Sequence, residues 1–372
     1  MANIYLDYNA STPIDPVVGV AMRPLIEDGF GNPSSGHWAA GPAKRALDRA
    51  REQVARLLGA HPSEIVFTSG GSESNNLAIV GTYFALRDSG NHIITQMTEH
   101  PAILEPLAFL EQLGAAVTRL RVDRRGRLDP DDVRRAITPR TVLISVMHAN
   151  NETGTIQPIG EIGALARERG IRIHTDAAQS VGKIPTEVDT LGVDLLSIAG
   201  HKLYAPKGVG ALYIRQGTAL EPLIHGAGHE SGRRAGTESA LLATGLGTAC
   251  DVAREWVGMP AIRQRRDRFW DRLRAAFGNR VVLNGDPIER LPNTLNVGFV
   301  GAVGADILAR MPEIAASTGS ACHAGRITLS PVLDAMGVSP EIGCGAIRFS
   351  LGRATTSDEI DAVVERLRLL LA

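Results

Sequence analysis

Helical and strand-like hydrophobic patterns alternate through the first two-thirds of the chain. Between Pro42 and Leu58, the residues Ala43, Leu47, Ala50, Val54 and Leu57 recur at the spacing of one helix face. Pro42 stands near the start of that helix and Gly59 supplies its stop. Short apolar runs bounded by turn residues follow at 65–67, 93–95, 117–120, 142–147, 171–173, 195–198 and 210–214. Most are separated by helical stretches such as 129–137 and 159–169. This alternation predicts an α/β fold with a mostly parallel sheet covered by helices.

After about residue 255 the rhythm changes. An Arg-rich amphipathic helix is expected over 261–277, a strand over 293–300, a helix near 305–311 and a short strand over 314–317. A last helix over 357–371 starts at Ser357-Asp358-Glu359, as a capped N-terminus does. The pattern therefore places a large domain over 15–255 and a smaller one over 256–372.

Composition adds limits. A hydrophobic content of 44% allows a substantial core, and a net charge of -1 gives no bulk attraction to nucleic acid or membrane. The N-terminal residues lack a charged start and an apolar stretch, and no long apolar run follows, so a cytoplasmic location is expected. Cys250, Cys322 and Cys344 are too few for a disulfide framework and are not spaced as a metal site.

Lysine is scarce: four of the 39 basic residues, Lys44, Lys183, Lys202 and Lys207. Lys202 follows the 195–198 run in Gly200-His201-Lys202, and Asp176 closes the 171–173 strand. An amine and a carboxylate at the ends of neighbouring buried strands suit pyridoxal 5'-phosphate (PLP). The amine forms the Schiff base, and the carboxylate keeps the pyridine nitrogen protonated. Lys44 belongs on a surface helix, while Lys183 and Lys207 lie in loops.

Other residues support more than one reading. Gly71 and Ser72, in the turn Thr68-Ser69-Gly70-Gly71-Ser72-Glu73, stand where a phosphate rests on a helix N-terminus, or where a plain strand–helix connection runs. His100 either stacks on an aromatic cofactor or caps the following helix. Asn151 either contacts a ligand or belongs to a turn. Arg348 either grips a carboxylate or makes a surface ion pair. Arg263, Arg265, Arg266 and Arg268 read as a solvated helix face. Cys250 reads as packing, and Cys344 lies four residues before Arg348. Cys322 sits among small residues and glycines beside His323, a setting for a thiolate nucleophile.

Together these motifs resemble the NifS/IscS-like cysteine desulfurases, PLP enzymes of fold type I, from Tyr5-Leu6-Asp7-Tyr8-Asn9-Ala10 to Arg348-Phe349-Ser350. The resemblance implies a seven-stranded, mostly parallel sheet in the large domain, a smaller α+β C-terminal domain, and residues 1–14 packed against the latter. It implies Lys202 as the PLP lysine, Asp176 at the pyridine nitrogen, Gln179 at the ring oxygen and His100 on the ring. Gly71, Ser72 and His201 would hold the phosphate, with Thr237 reaching that of the other subunit of a homodimer. L-cysteine would be bound by Asn151 and Arg348, and its sulfur would pass to Cys322 as a persulfide, leaving alanine. An acceptor protein would then take it, in iron–sulfur assembly, tRNA thiolation or DNA phosphorothioation. Ser320-Ala321-Cys322-His323-Ala324-Gly325 leans towards the DndA-like branch. Ala199 stands where the family usually has a hydroxyl, removing a hydrogen bond of about 1 kcal/mol. Other type I PLP enzymes, an aminotransferase or a selenocysteine lyase, are the competing class. An inactive PLP-fold scaffold is the non-enzymatic one.

Overall fold

The computed structural model describes residues 3–318 and 329–371, together with the backbone pairing of residues 322–323 and 326–327. It opens with a two-residue strand, β1 (Ile4–Tyr5). The apolar runs become β2 (Ile65–Thr68), β3 (His92–Gln96), β4 (Ala116–Leu120), β5 (Thr141–Ser145), β6 (Arg172–Asp176), β7 (Leu195–Ala199) and β8 (Gly210–Ile214). They form a seven-stranded sheet in the order β2-β8-β7-β6-β5-β3-β4. Its neighbours from β7 to β4 pair in parallel, whereas β8 is antiparallel to both β2 and β7. Strands β5 and β7 are buried along their whole length. Cover on both faces explains why they read as continuous apolar runs without alternation.

Crossover helices such as Gly71–Leu86 and Ile159–Glu168 provide that cover, joined by a helix that precedes the sheet. The helix Ala40–Leu58 buries the predicted stripe and stops at Gly59, whose φ of 64° is a left-handed conformation that glycine adopts without a Cβ clash. The crossovers leave the C-terminal ends of β3, β5, β6 and β7 at one sheet edge, where open α/β sheets place ligands.

A four-stranded antiparallel sheet follows. It contains β9 (Val281–Asn284) and β10 (Thr294–Phe299), then β12 (Ser317–Thr318) and β15 (Ala346–Ser350), in the order β12-β15-β10-β9. The single strand expected over 314–317 is divided. β11 (Ile314–Ala315) pairs with β1, and the chain then changes partner so that β12 pairs with β15. A hairpin of β13 (Cys322–His323) and β14 (Arg326–Ile327) comes between β12 and β15. Ile4 and Leu6 share a core with Phe269, Phe349 and Val363. The closing helix, Ser357–Leu370, carries a capping box between Thr356 and Glu359, one residue before the expected start.

One charge assignment is overturned. Arg266 is not on a solvated face: it is 6% exposed and donates from Nη1 to the Leu291 carbonyl at 2.7 Å. The helix Pro260–Phe277 turns that position inward beside Ile262 and Phe269. Charge density along the sequence carries no information about which side of the helix faces the core.

Candidate active site

The loops after the parallel strands converge on a cavity of about 240 Å³. Gly71, Ser72, His100, Asn151, Asp176, Gln179, His201, Lys202 and Arg348 all line it, as do Asn9, Asn75 and Ala199. These residues lie far apart in sequence, and the sheet edge collects them.

Asp176 ends β6, lines the cavity and is 5% exposed. Its Oδ2 accepts from Asn75 Nδ2 at 2.8 Å and its Oδ1 from the Ala178 amide at 2.9 Å, which fixes the plane of the carboxylate. Lys202 lies just beyond β7, and its Nζ donates to the carbonyls of Asn9 and Ala10. Burial pushes the amine down to about 8, with Arg348 acting the same way and Asp7 and Asp176 opposing. An amine whose pKa is lowered towards neutrality, lining the same cavity as a fixed carboxylate, suits both carbonyl condensation and proton transfer.

The capping reading of His100 holds, and the residue also lines the cavity. Its Nδ1 accepts the Ala102 amide at 3.0 Å as the cap of the helix Pro101–Gln112, while the ring borders the cavity. An occupied Nδ1 selects the neutral tautomer that carries its proton on Nε2. Burial lowers the ring's pKa; the Asp176 charge opposes this and the Lys202 charge adds to it.

Arg348, on β15, donates from Nη2 to Asp7 Oδ1 at 2.7 Å and to Ser317 Oγ at 3.0 Å. Its Nη1 donates to the Asn151 carbonyl at 3.0 Å. Its Nε is buried without a partner. An unpaired buried donor is unfavourable, and an incoming carboxylate would satisfy it. The surface ion-pair reading fails, since the residue is 8% exposed.

Several residues of the site carried no role in the sequence reading. Asn9 uses its carbonyl to hold Lys202 and Gln179, and its side-chain Nδ2 bonds to Thr294 Oγ1 at 2.8 Å. Asn75 lies one helix turn past Gly71, and that spacing is the only available signal for it. Lys183, dismissed as a loop lysine, is 4% exposed and donates to Gln179 Oε1 at 3.0 Å. Glu99 is fully enclosed; burial holds its carboxyl well above the usual range, against a 2.7 Å bond from the Met147 amide.

Other candidates lie elsewhere. Thr237 borders a separate hollow with Thr68, Ser69 and Arg234. Cys344 follows the helix Pro340–Gly343, and its carbonyl accepts from the Gly304 amide at 2.9 Å; it does not line the cavity. Cys250 is wholly buried in the main core, and burial pushes its thiol up. Cys322 begins β13, but its side chain lies outside the described residues. Among the described residues no helix is long and apolar enough to cross a membrane, and no metal-ligand cluster occurs.

The residues present fit PLP. A half-buried amine, a fixed carboxylate, the unpaired buried Asn75 Oδ1 and the start of the helix Gly71–Leu86 face one space. The first-turn amides of that helix have no intrahelical acceptors and suit a phosphate. Gly71 keeps this approach open, since a Cβ on it would stand 3.0 Å from the Ala199 Cβ, a tight contact.

An aminotransferase class-V family model matches residues 4–363. The chain is 47% identical to a cysteine desulfurase IscS of Dictyoglomus turgidum, over 99% of this chain and 96% of that one. Its fold superimposes on a NifS-like protein with a TM-score of 0.91 and 35% identity, covering 99% of each chain. A structure of SspA in complex with cysteine matches with a TM-score of 0.84 and 41% identity, over 94% of this chain and 98% of that one.

Proposed function

The chain belongs to the class-V aminotransferases and is a cysteine desulfurase of that PLP-dependent family, and from this premise we propose a reaction in which Lys202 and Cys322 divide the chemistry. The observation that carries it is the convergence of Lys202, Asp176, His100 and Arg348 on one cavity. Lys202 would hold PLP covalently, Asp176 its ring nitrogen, Gln179 its ring oxygen, and Gly71, Ser72 and His201 its phosphate. When bound, PLP supplies an acceptor for the electrons left when the substrate's α-proton departs.

L-cysteine enters with its carboxylate on Arg348, completing the bonding of the unpaired Nε. Asn151 fixes the guanidinium through its carbonyl, which is a different role from direct contact by its side chain. Lys202 Nζ takes the α-proton. His100, neutral and carrying its proton on Nε2, presents a donor to the cavity. The Cys322 thiolate attacks the substrate sulfur. The Cβ–S bond breaks with its electron pair on carbon, which is protonated to give alanine, and the sulfur stays on Cys322 as a persulfide for an acceptor protein. The test is to incubate the PLP-loaded protein with ³⁵S-cysteine and map the reductant-labile label. It is expected on the Cys322 peptide with one alanine formed per label; label on Cys344 or on no peptide overturns the assignment.

The same reading includes a homodimer. Ile14, Val17, Val20, Ile26, Phe30 and Trp38 are exposed, the last by 85%, within one short N-terminal stretch. Such an accumulation of exposed apolar side chains marks an interface. Residues 33–36 share a hollow with 228–231, the start of the loop that leads to Thr237, so a second copy seated here lies next to that loop. Sedimentation equilibrium is expected to give twice the chain mass, falling to one chain mass in Phe30→Glu/Trp38→Glu. A dimer unaffected by both changes would exclude this face.

A further inference from the structure

Lys183 stands behind the cavity without a part in the reaction above. A buried lysine is unfavourable unless it is paired. Burial pushes this amine down to about 7, and the charges of Lys202 and Arg348 add to the effect. The turn that places it depends on Gly182, which has a φ of 73° and where a Cβ would stand 2.3 Å from Leu203 Cδ1.

Its Nζ donates to Gln179 Oε1 at 3.0 Å. Gln179 Nε2 in turn donates to the Asn9 carbonyl at 2.9 Å, and the same carbonyl accepts from Lys202 Nζ. A continuous run of hydrogen bonds thus leads from Lys183 to Lys202. The two ends of a glutamine amide have almost the same shape, but one accepts and the other donates. Here the neighbours decide which is which. A backbone carbonyl only accepts and the ammonium form of Lys183 only donates, so exchanging Oε1 and Nε2 would set acceptor against acceptor at Asn9 and, while Lys183 is protonated, donor against donor. Nε2 has a second hydrogen, and Gln179 lines the cavity. With one N–H of Nε2 committed to the Asn9 carbonyl, the second is left to be offered to that space.

We propose that Lys183 is a positioning residue that locks the Gln179 amide with its N–H towards the cavity, so that Gln179 meets the cofactor's ring oxygen as a donor. This rests on the assignment of PLP to Lys202 and Gln179 made above. Without Lys183, Gln179 Oε1 loses its donor and only the Asn9 carbonyl still holds the amide, so its N–H is less firmly directed at the cofactor oxygen.

The experiment titrates PLP into the apoprotein of the wild type, Lys183→Met, Gln179→Ala and the double variant. Absorbance reports affinity, and the pH titration of the bound cofactor's visible band gives a second readout. Methionine fills most of the space of the lysine stem. Each single change is expected to weaken PLP binding about tenfold, the scale of one oriented hydrogen bond to a charged group, and to move the titration. The double variant should be no weaker than Gln179→Ala alone, because both changes remove one contact. Lys183→Gln, which keeps an N–H donor, should retain most of the affinity even if Lys183→Met does not fold. Additive losses overturn the proposal, as does a wild-type response in Lys183→Met, or a loss in Lys183→Gln as large as that in Gln179→Ala. If Gln179→Ala itself binds PLP normally, the role given to Gln179 falls, and that of Lys183 with it.

Discussion

Cys322→Ser is expected to abolish alanine formation from L-cysteine, with kcat falling on the order of 10⁴-fold or more, while PLP binds with an unchanged absorption band. A serine hydroxyl is hardly ionised near neutral pH and is a poor nucleophile towards sulfur, so the Cβ–S bond lacks its acceptor. Cofactor attachment is assigned to the Lys202 amine, so the PLP link does not require the Cys322 thiol. The separation of the two readouts is the diagnostic part. An aminotransferase working at the same Lys202 and Asp176 would have no use for a thiol here and would turn over normally in the variant. Alanine release at wild-type rate from Cys322→Ser would therefore sink the sulfur-transfer mechanism while leaving the PLP site intact.

The second large effect is expected from Lys202→Ala. The change removes the amine that attaches the cofactor and the base that takes the α-proton. Turnover should fall on the order of 10⁴-fold or more. Asp176, the amides at Gly71 and the remaining cavity residues are expected to keep PLP bound, but without a covalent link. Borohydride reduction should then fix no cofactor to the protein, whereas in the wild type it should label the Lys202 peptide. The experiment matters because Lys183 is a second buried amine, separated from Lys202 only by Gln179 and the Asn9 carbonyl. Reductive labelling of Lys183 in the wild type would reassign the anchor.

Lys183 also illustrates what a sequence conceals. Its neighbours Gly182 and Ile184 give it the look of an ordinary loop lysine. Its burial comes from Gly182, which folds the chain back over Leu203, and from the packing of residues 258 and 259, whose Gly258 amide bonds to the Lys183 carbonyl at 2.9 Å. Gly258 and Met259 lie some 75 residues away in the chain, and Leu203 lies 20 away. Asn9 is hidden in the same way: its part is played by a backbone carbonyl, which every residue has. Arg266 is a third case, a charge counted with its exposed neighbours that the helix turns into the core. In contrast, Asp176, Lys202, Gly71 and His100 were legible. Each sits within five residues of the end of an apolar run, and parallel strands bring the residues after their C-terminal ends to the same edge.

The amino-acid sequence alone determined the alternation of strands and helices, hence the sheet, and the kind of chemistry, because apolar periodicity and scarce functional residues are local properties of the chain. It also supplied Cys322 as the nucleophile to test. Only the tertiary structure decided that His100 caps a helix and faces the cavity at once, that Arg348 is held by Asp7 and Ser317 with its Nε unpaired, and that Gln179 lies between two lysines. Those properties are distances and directions between residues remote in sequence. They arise when the sheet closes and the antiparallel domain packs over its edge, and no run of neighbouring residues encodes them.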